Sequence, residues 1–124
     1  MKLFIATGAV LAFLSVAFGA FGAHILKSHL SAHYLSVFET GVQYQMYHSL
    51  GLILIGLLAL TVFHESAGLL GWAGWLMMLG IVLFSGSLYA LSISGISLLG
   101  IITPFGGIAF LAAWALVIAA AIRA

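Results

Sequence analysis

Cysteine and aspartate are both absent from this 124-residue chain, and charge of either sign is nearly so. Without cysteine there are no disulfides, no thiolate metal sites and no cysteine nucleophile. Without aspartate, the commonest third member of a Ser–His triad is gone. Only Lys2, Lys27, Arg123, Glu39 and Glu65 carry formal charge, 4% of all residues, for a net charge of +1. That leaves no basic field for nucleic acid and no acidic tail. A water-soluble domain carries about a quarter charged residues, so this chain cannot cover a globule with solvated charge. The glycines match neither GxGxxG nor GxxxxGK, and the Ser–Gly–Ser of Phe84 to Tyr89 is not GxSxG. HExxH is missing too, so nucleotide site, nucleophile elbow and zinc-protease helix are all unsupported. An enzyme is therefore not expected, and no cofactor is implied.

What the chain has is hydrocarbon: 65% of its residues are hydrophobic, and its mean hydropathy is +1.36. Lipid must be its solvent. Four apolar runs cover roughly residues 3–23, 40–63, 69–93 and 104–122. The first follows Lys2 and ends in GAFGA before His24. That is also the layout of a secretory signal, but the further apolar runs favour a first membrane span. Within it, Gly8 with Ala12, Ser15 with Gly19, and Gly19 with Ala23 repeat small residues at i, i+4. Such a stripe lets a second helix backbone approach closely and favours self-association. Between residues 25 and 37, Leu26, Leu30, Tyr34 and Val37 recur at spacings of four, four and three. This predicts a short amphipathic helix at the membrane interface, with an ordered polar loop as the alternative. Trp72 and Trp75 open the third run, where indoles favour the headgroup level. Thr103 as cap and Pro104 as first helical residue open the fourth, and Arg123 places a cation at its C-terminus.

The expected fold class is thus an all-α integral membrane protein, one domain over residues 1–124. It is a four-transmembrane-helix bundle with a short interfacial amphipathic helix between spans one and two. Four spans put both termini on one side. Lys2 and Arg123 there, against Lys27 opposite, favour termini in the cytoplasm.

The polar side chains concentrate in FETGVQYQMYHSL, residues 38–50. On a helix turning about 100° per residue, Glu39, Gln43 and Tyr47 form one row and Thr40, Tyr44 and His48 a second beside it. Gln45 falls outside this face. Three turns of polar surface are disfavoured against acyl chains, so the face is expected to look into the bundle, into a cavity or to the outer interface. Antiparallel packing brings His24, Ser85, Ser87, Tyr89 and Thr103 to the same level. The predicted polar network is therefore His24, Glu39, Thr40, Gln43, Tyr44, Tyr47, His48, Ser85, Ser87, Tyr89 and Thr103. Two readings of it stay open. One is a hydrogen-bond network that fastens the helices. The other is a ligand or ion site, with Glu39 as carboxylate and His48 as proton-active group, in an oligomeric unit transporting protons, cations or small solutes. A weaker third is a redox-cofactor anchor using His24 and His48 as axial ligands. His29 and His33 share a helical face but lack a third ligand, so no metal site is predicted.

Four blocks occur in order: GAFGAH (19–24), FETGVQYQMYH (38–48), FSGSLY (84–89) and ITPFGG (102–107). In this order the chain resembles the YgdD/YwdK-like family of small bacterial inner-membrane proteins, a domain of unknown function with eukaryotic transmembrane relatives. The resemblance implies a multi-pass plasma-membrane protein and carries no assigned activity or catalytic residue. Its blocks contain His24, Glu39, Thr40, Gly41, Tyr44, Gln45, His48, Ser85, Gly86, Ser87, Tyr89, Thr103, Pro104 and Gly107, but neither His29 nor His33. The resulting expectation is a non-enzymatic membrane protein acting through assembly or through binding of a small ligand or lipid. Membrane lipid and further copies of the chain are its expected partners.

Overall fold

The computed structural model describes residues 1–123, and every regular element among them is helical. Helix α1 (Lys2–His24) is almost wholly apolar and leads through a 3-10 turn at Leu26–Ser28 into α2 (Ala32–Leu60). A second 3-10 turn at His64–Ser66 starts a long rod made of α3 (Ala67–Gly80), a π-helical turn (Ile81–Ser85) and α4 (Gly86–Ser94). Gly95 ends this rod in the left-handed conformation, φ 73°, its N–H bonded to the Leu91 carbonyl. That is the backbone state glycine adopts at a helix C-terminus without a Cβ penalty. A last 3-10 turn at Ser97–Ile101 leads into α5 (Thr103–Arg123).

Three helical stretches, Lys2–Ser28, His64–Ser94 and Ser97–Arg123, are long and apolar enough to cross a membrane. In lipid a helix is favoured because it satisfies its own backbone donors and acceptors. The remaining helix, α2, has 29 residues, with its polar side chains in its first half and Leu50–Leu60 almost purely apolar.

The helices pack antiparallel. α1 lies along α2, α2 along the α3–α4 rod, and α5 along α3 and the π turn. Phe4, Leu52, Ile55, Leu70, Met77, Phe110 and Ala113 from α1, α2, α3 and α5 meet in one apolar core. Two glycines set how closely the backbones approach. A Cβ on Gly8 would lie 2.8 Å from the Ser49 carbonyl oxygen, and one on Gly106 would collide with the Phe84 backbone. Met1 rests against Gly56 and Gly71, and Arg123 shares a cleft with His64 and Glu65, so both residues lie at the end of the bundle that holds the 61–66 turn. The 25–31 turn and the 95–102 connection lie at the opposite end, where the Tyr34 hydroxyl stands near Gly95.

The predicted interfacial helix over residues 25–37 does not form as a separate element. Ser31 takes an extended conformation and its hydroxyl accepts from the Tyr34 N–H at 3.2 Å, which starts α2 at Ala32. A serine at this position supplies an acceptor to an otherwise unpaired first-turn donor. The apolar spacing of Leu26, Leu30, Tyr34 and Val37 is thereby divided between a turn and the first turns of α2. Thr103 likewise is the first residue of α5 rather than a cap before it, and its hydroxyl bonds Ser87 instead.

Candidate functional site

Gln45 carries the one buried amide, 3% exposed, among the described residues. Its amide nitrogen donates to the Leu11 carbonyl of α1 at 2.8 Å, and the Tyr89 hydroxyl of α4 donates to its Oε1 at 2.6 Å. One side chain thus joins three helices. Around it, the Ser15 hydroxyl donates to the Val42 carbonyl at 2.8 Å and Ser85 to the Gly41 carbonyl at 2.7 Å. Ser49 donates to the carbonyl of Gln45 itself. The Tyr89 ring fits because Gly41 is bare: a Cβ there would sit 2.8 Å from the ring. Phe18 packs edge-on against that ring at 5.4 Å, with Phe38 on its other flank at 5.1 Å. No buried side-chain nitrogen or oxygen among the described residues lacks a hydrogen-bond partner.

This arrangement reverses the predicted facing of α2. Gln45, set outside the polar face by its angle, is at the centre. Glu39 and Gln43 are exposed at the edge of a cleft that they share with Gly19 and Gly22 of α1, and Tyr47 is 56% exposed, so that row lies on the outer side of α2. In the second row, Thr40 bonds only back to the Ser36 carbonyl of its own helix, at 3.0 Å. Tyr44 is partly exposed and His48 is buried. His24 is exposed at the end of α1, remote from Gln45 along the helix. Ser87 and Thr103 do meet, hydroxyl to hydroxyl, and tie α4 to α5, while Ser87 also donates to the Phe84 carbonyl at 2.9 Å. Of the predicted residues, then, Ser85 and Tyr89 join Gln45, Ser87 and Thr103 form a separate clasp, and His48 stands apart. The missed members, Gln45, Ser15 and Ser49, had a readable signal. Gly41, Gln45, Ser49, Leu52 and Gly56 recur every three to four residues, a helical face of small side chains with one amide.

His48 has different surroundings. Its Nδ1 donates to the Tyr44 carbonyl at 2.7 Å. Its ring stacks on Phe110, centroids 3.5 Å apart and planes 9° from parallel, with Trp114 tilted at 5.8 Å. Glu39 lies nine residues earlier, which at about 100° per residue puts it on the opposite side of α2. Among the described residues no three His or Glu side chains converge as metal ligands.

A family profile described as "Protein of unknown function (DUF423)" matches residues 18–107, a stretch that holds all four motif blocks. The chain is 52% identical over 123 residues to UPF0382 membrane protein YwdK of Bacillus subtilis (strain 168), covering 99% of this chain and 98% of that protein. It is 52% identical over 118 residues to UPF0382 membrane protein SH2409 of Staphylococcus haemolyticus (strain JCSC1435), covering 95% and 93%. UPF0382 membrane protein SAB0533 of Staphylococcus aureus (strain bovine RF122 / ET3-1) shares 48% over 123 residues, covering 99% and 98%. No solved structure matches the chain.

Proposed function

The chain belongs to the DUF423 family of membrane proteins, and from that premise we propose a non-enzymatic, four-span protein of the bacterial inner membrane that works by assembling with further copies of itself. One observation carries the proposal: Glu39, Gln43 and Tyr47 face outward from a bundle whose other outer surfaces are apolar. Their depth makes this significant. Ser15, near the middle of the 23-residue α1, bonds the carbonyl of Val42, so Gln43 lies at about the mid-level of that helix. An amide facing acyl chains has donors and an acceptor without partners, which is unfavourable in hydrocarbon. Two copies inserted in the same sense and related by a twofold axis along the membrane normal bring Gln43 opposite Gln43. An amide is both donor and acceptor, so the pair is self-complementary. Tyr47, one turn deeper, has the same dual character, and Glu39 lies towards the headgroups. In this reading α2 is the second span, the Gln45 hydrogen bonds hold each copy rigid, and membrane lipid covers the remaining surface.

The absence of cysteine makes the proposal directly testable. Leu50→Cys, 49% exposed and seven residues beyond Gln43 on the same face of α2, leaves the Gln43 pair in place and in native membranes should give a disulfide-linked dimer under mild oxidation. Leu111→Cys, on the exposed side of α5 (72% exposed), should stay monomeric. A Leu50→Cys protein that stays monomeric, or a Leu111→Cys protein that cross-links equally, overturns it. Glu39 and His48 on opposite sides of α2 weigh against a single transport path through one copy that uses both.

A further inference from the structure

We propose that the groove between α2 and α5 binds a lipid-soluble planar ring carrying a hydroxyl donor, a quinol or phenol, through Nε2 of His48. The groove is on the other side of α2 from the Gln43 surface, so this goes beyond the assembly reading and does not rest on it.

The argument begins with the imidazole. Its Nδ1 faces a carbonyl, which only accepts, so Nδ1 carries the hydrogen. In the neutral ring Nε2 is then a bare acceptor. Among the described residues no donor reaches it, yet the atom is not sealed within the protein. His48 is 6% exposed and forms part of the wall of a groove of about 400 Å³. That is within the usual range for a small-molecule site. A buried ring held in one orientation by Phe110 and by the Tyr44 carbonyl thus presents a single acceptor to a lipid-facing groove.

The walls define the rest of the ligand. Tyr44, Phe84, Phe110 and Trp114 offer aromatic faces. Gly107 keeps the floor open, since a Cβ there would approach nothing closer than 4.0 Å. The fixed Nε2 acceptor, set among aromatic rings with the Tyr44 hydroxyl and the Trp114 indole N–H as the further polar groups of these aromatic walls, matches a planar apolar body with a well-placed O–H. An acyl chain could fill the same volume but would leave Nε2 unpaired, which costs free energy in a site that excludes water.

The test uses the full chain with Trp72→Phe and Trp75→Phe, so that Trp114 is the only indole, reconstituted in phosphatidylethanolamine–phosphatidylglycerol nanodiscs. The probes are decylhydroquinone and its dimethyl ether, which keeps the shape and removes the donors. Saturable quenching of Trp114 by the hydroquinone is expected, with affinity roughly tenfold above that of the ether, the scale of one hydrogen bond. His48→Leu should bring the two probes to equal affinity. Gly107→Leu, which fills the floor while keeping His48, should weaken both. Equal affinity for the two probes in the starting protein overturns the proposal, as does a preference that survives His48→Leu or saturable binding unchanged by Gly107→Leu. Should His48→Leu fail to fold, the probe comparison and Gly107→Leu still decide the matter.

Discussion

Gln45 joins three helices through one amide, and its removal should be felt well beyond its own helix. Gln45→Leu takes the donor from the Leu11 carbonyl and leaves the Tyr89 hydroxyl without its acceptor. Interhelical hydrogen bonds in membranes average about 0.6 kcal/mol, and an orphaned buried hydroxyl adds about 1–3 kcal/mol. We therefore expect Gln45→Leu to destabilise the protein by about 1–3 kcal/mol, read as a lower unfolding temperature in detergent. Adding Tyr89→Phe should cost less than it does alone, because the orphaned hydroxyl is then gone. Glu39→Gln, on the outer surface, should leave the monomer's unfolding temperature unchanged. Equal losses from Glu39→Gln and Gln45→Leu would overturn this division between inner and outer faces. The polar richness of residues 38–48 was legible in the sequence, but its facing was not. Polarity shows where hydrogen-bonding groups gather, and a majority of them at angles near Glu39 does not make that side the inner one. Helix contact is decided by which side lets backbones approach, and the bare positions Gly41 and Gly56 lie with Gln45.

At the scale of the elements, close approach is again the controlling quantity. Gly106 lies against the Phe84 backbone, which cannot turn aside as a side chain can. Gly106→Ala must therefore push α5 from the α3–α4 rod, at about 1–3 kcal/mol for an overpacked contact. Gly86 sits in the same rod with nothing within 4 Å of an added Cβ. Gly86→Ala should be neutral or stabilising by up to about 1 kcal/mol, the helix-propensity difference between the two residues. Thermal unfolding of the pair in one detergent checks both signs; a Gly106→Ala protein as stable as Gly86→Ala would show that this contact can relax. The limits of α1, of the α3–α4 rod and of α5 were legible because apolar runs of spanning length have few alternatives. Two local features were not. The start of α2 depended on Ser31 acting as a cap rather than as the polar side of an amphipathic helix. The π turn at Ile81–Ser85 follows no proline and leaves no periodicity mark. At its last residue, Ser85 reaches Gly41 on α2, while Ser87, two residues on, reaches Thr103 on α5.

For the whole molecule, the open quantity is how the bundle sits in the bilayer. Three stretches are long and apolar enough to cross, and α2 is packed between α1 and the α3–α4 rod. If α2 crosses with them, the 25–31 turn and the 61–66 turn face opposite compartments. Lys2 and Arg123 share the end with the 61–66 turn, and Lys27 is the cation at the other end. Positive charge is retained in the cytoplasm, so the 61–66 end is expected inside and the 25–31 end outside. Single cysteines report this cleanly in a chain that has none of its own. Ser28→Cys should react in intact cells with a membrane-impermeant maleimide. Val62→Cys, 72% exposed in the other turn, should react only after the membrane is opened. The reverse pattern would invert the orientation while leaving four spans intact. Labelling of both cysteines in intact cells would mean that α2 does not cross. Gln43 would then lie outside the hydrocarbon, and the physical reason for pairing two copies through it would be lost.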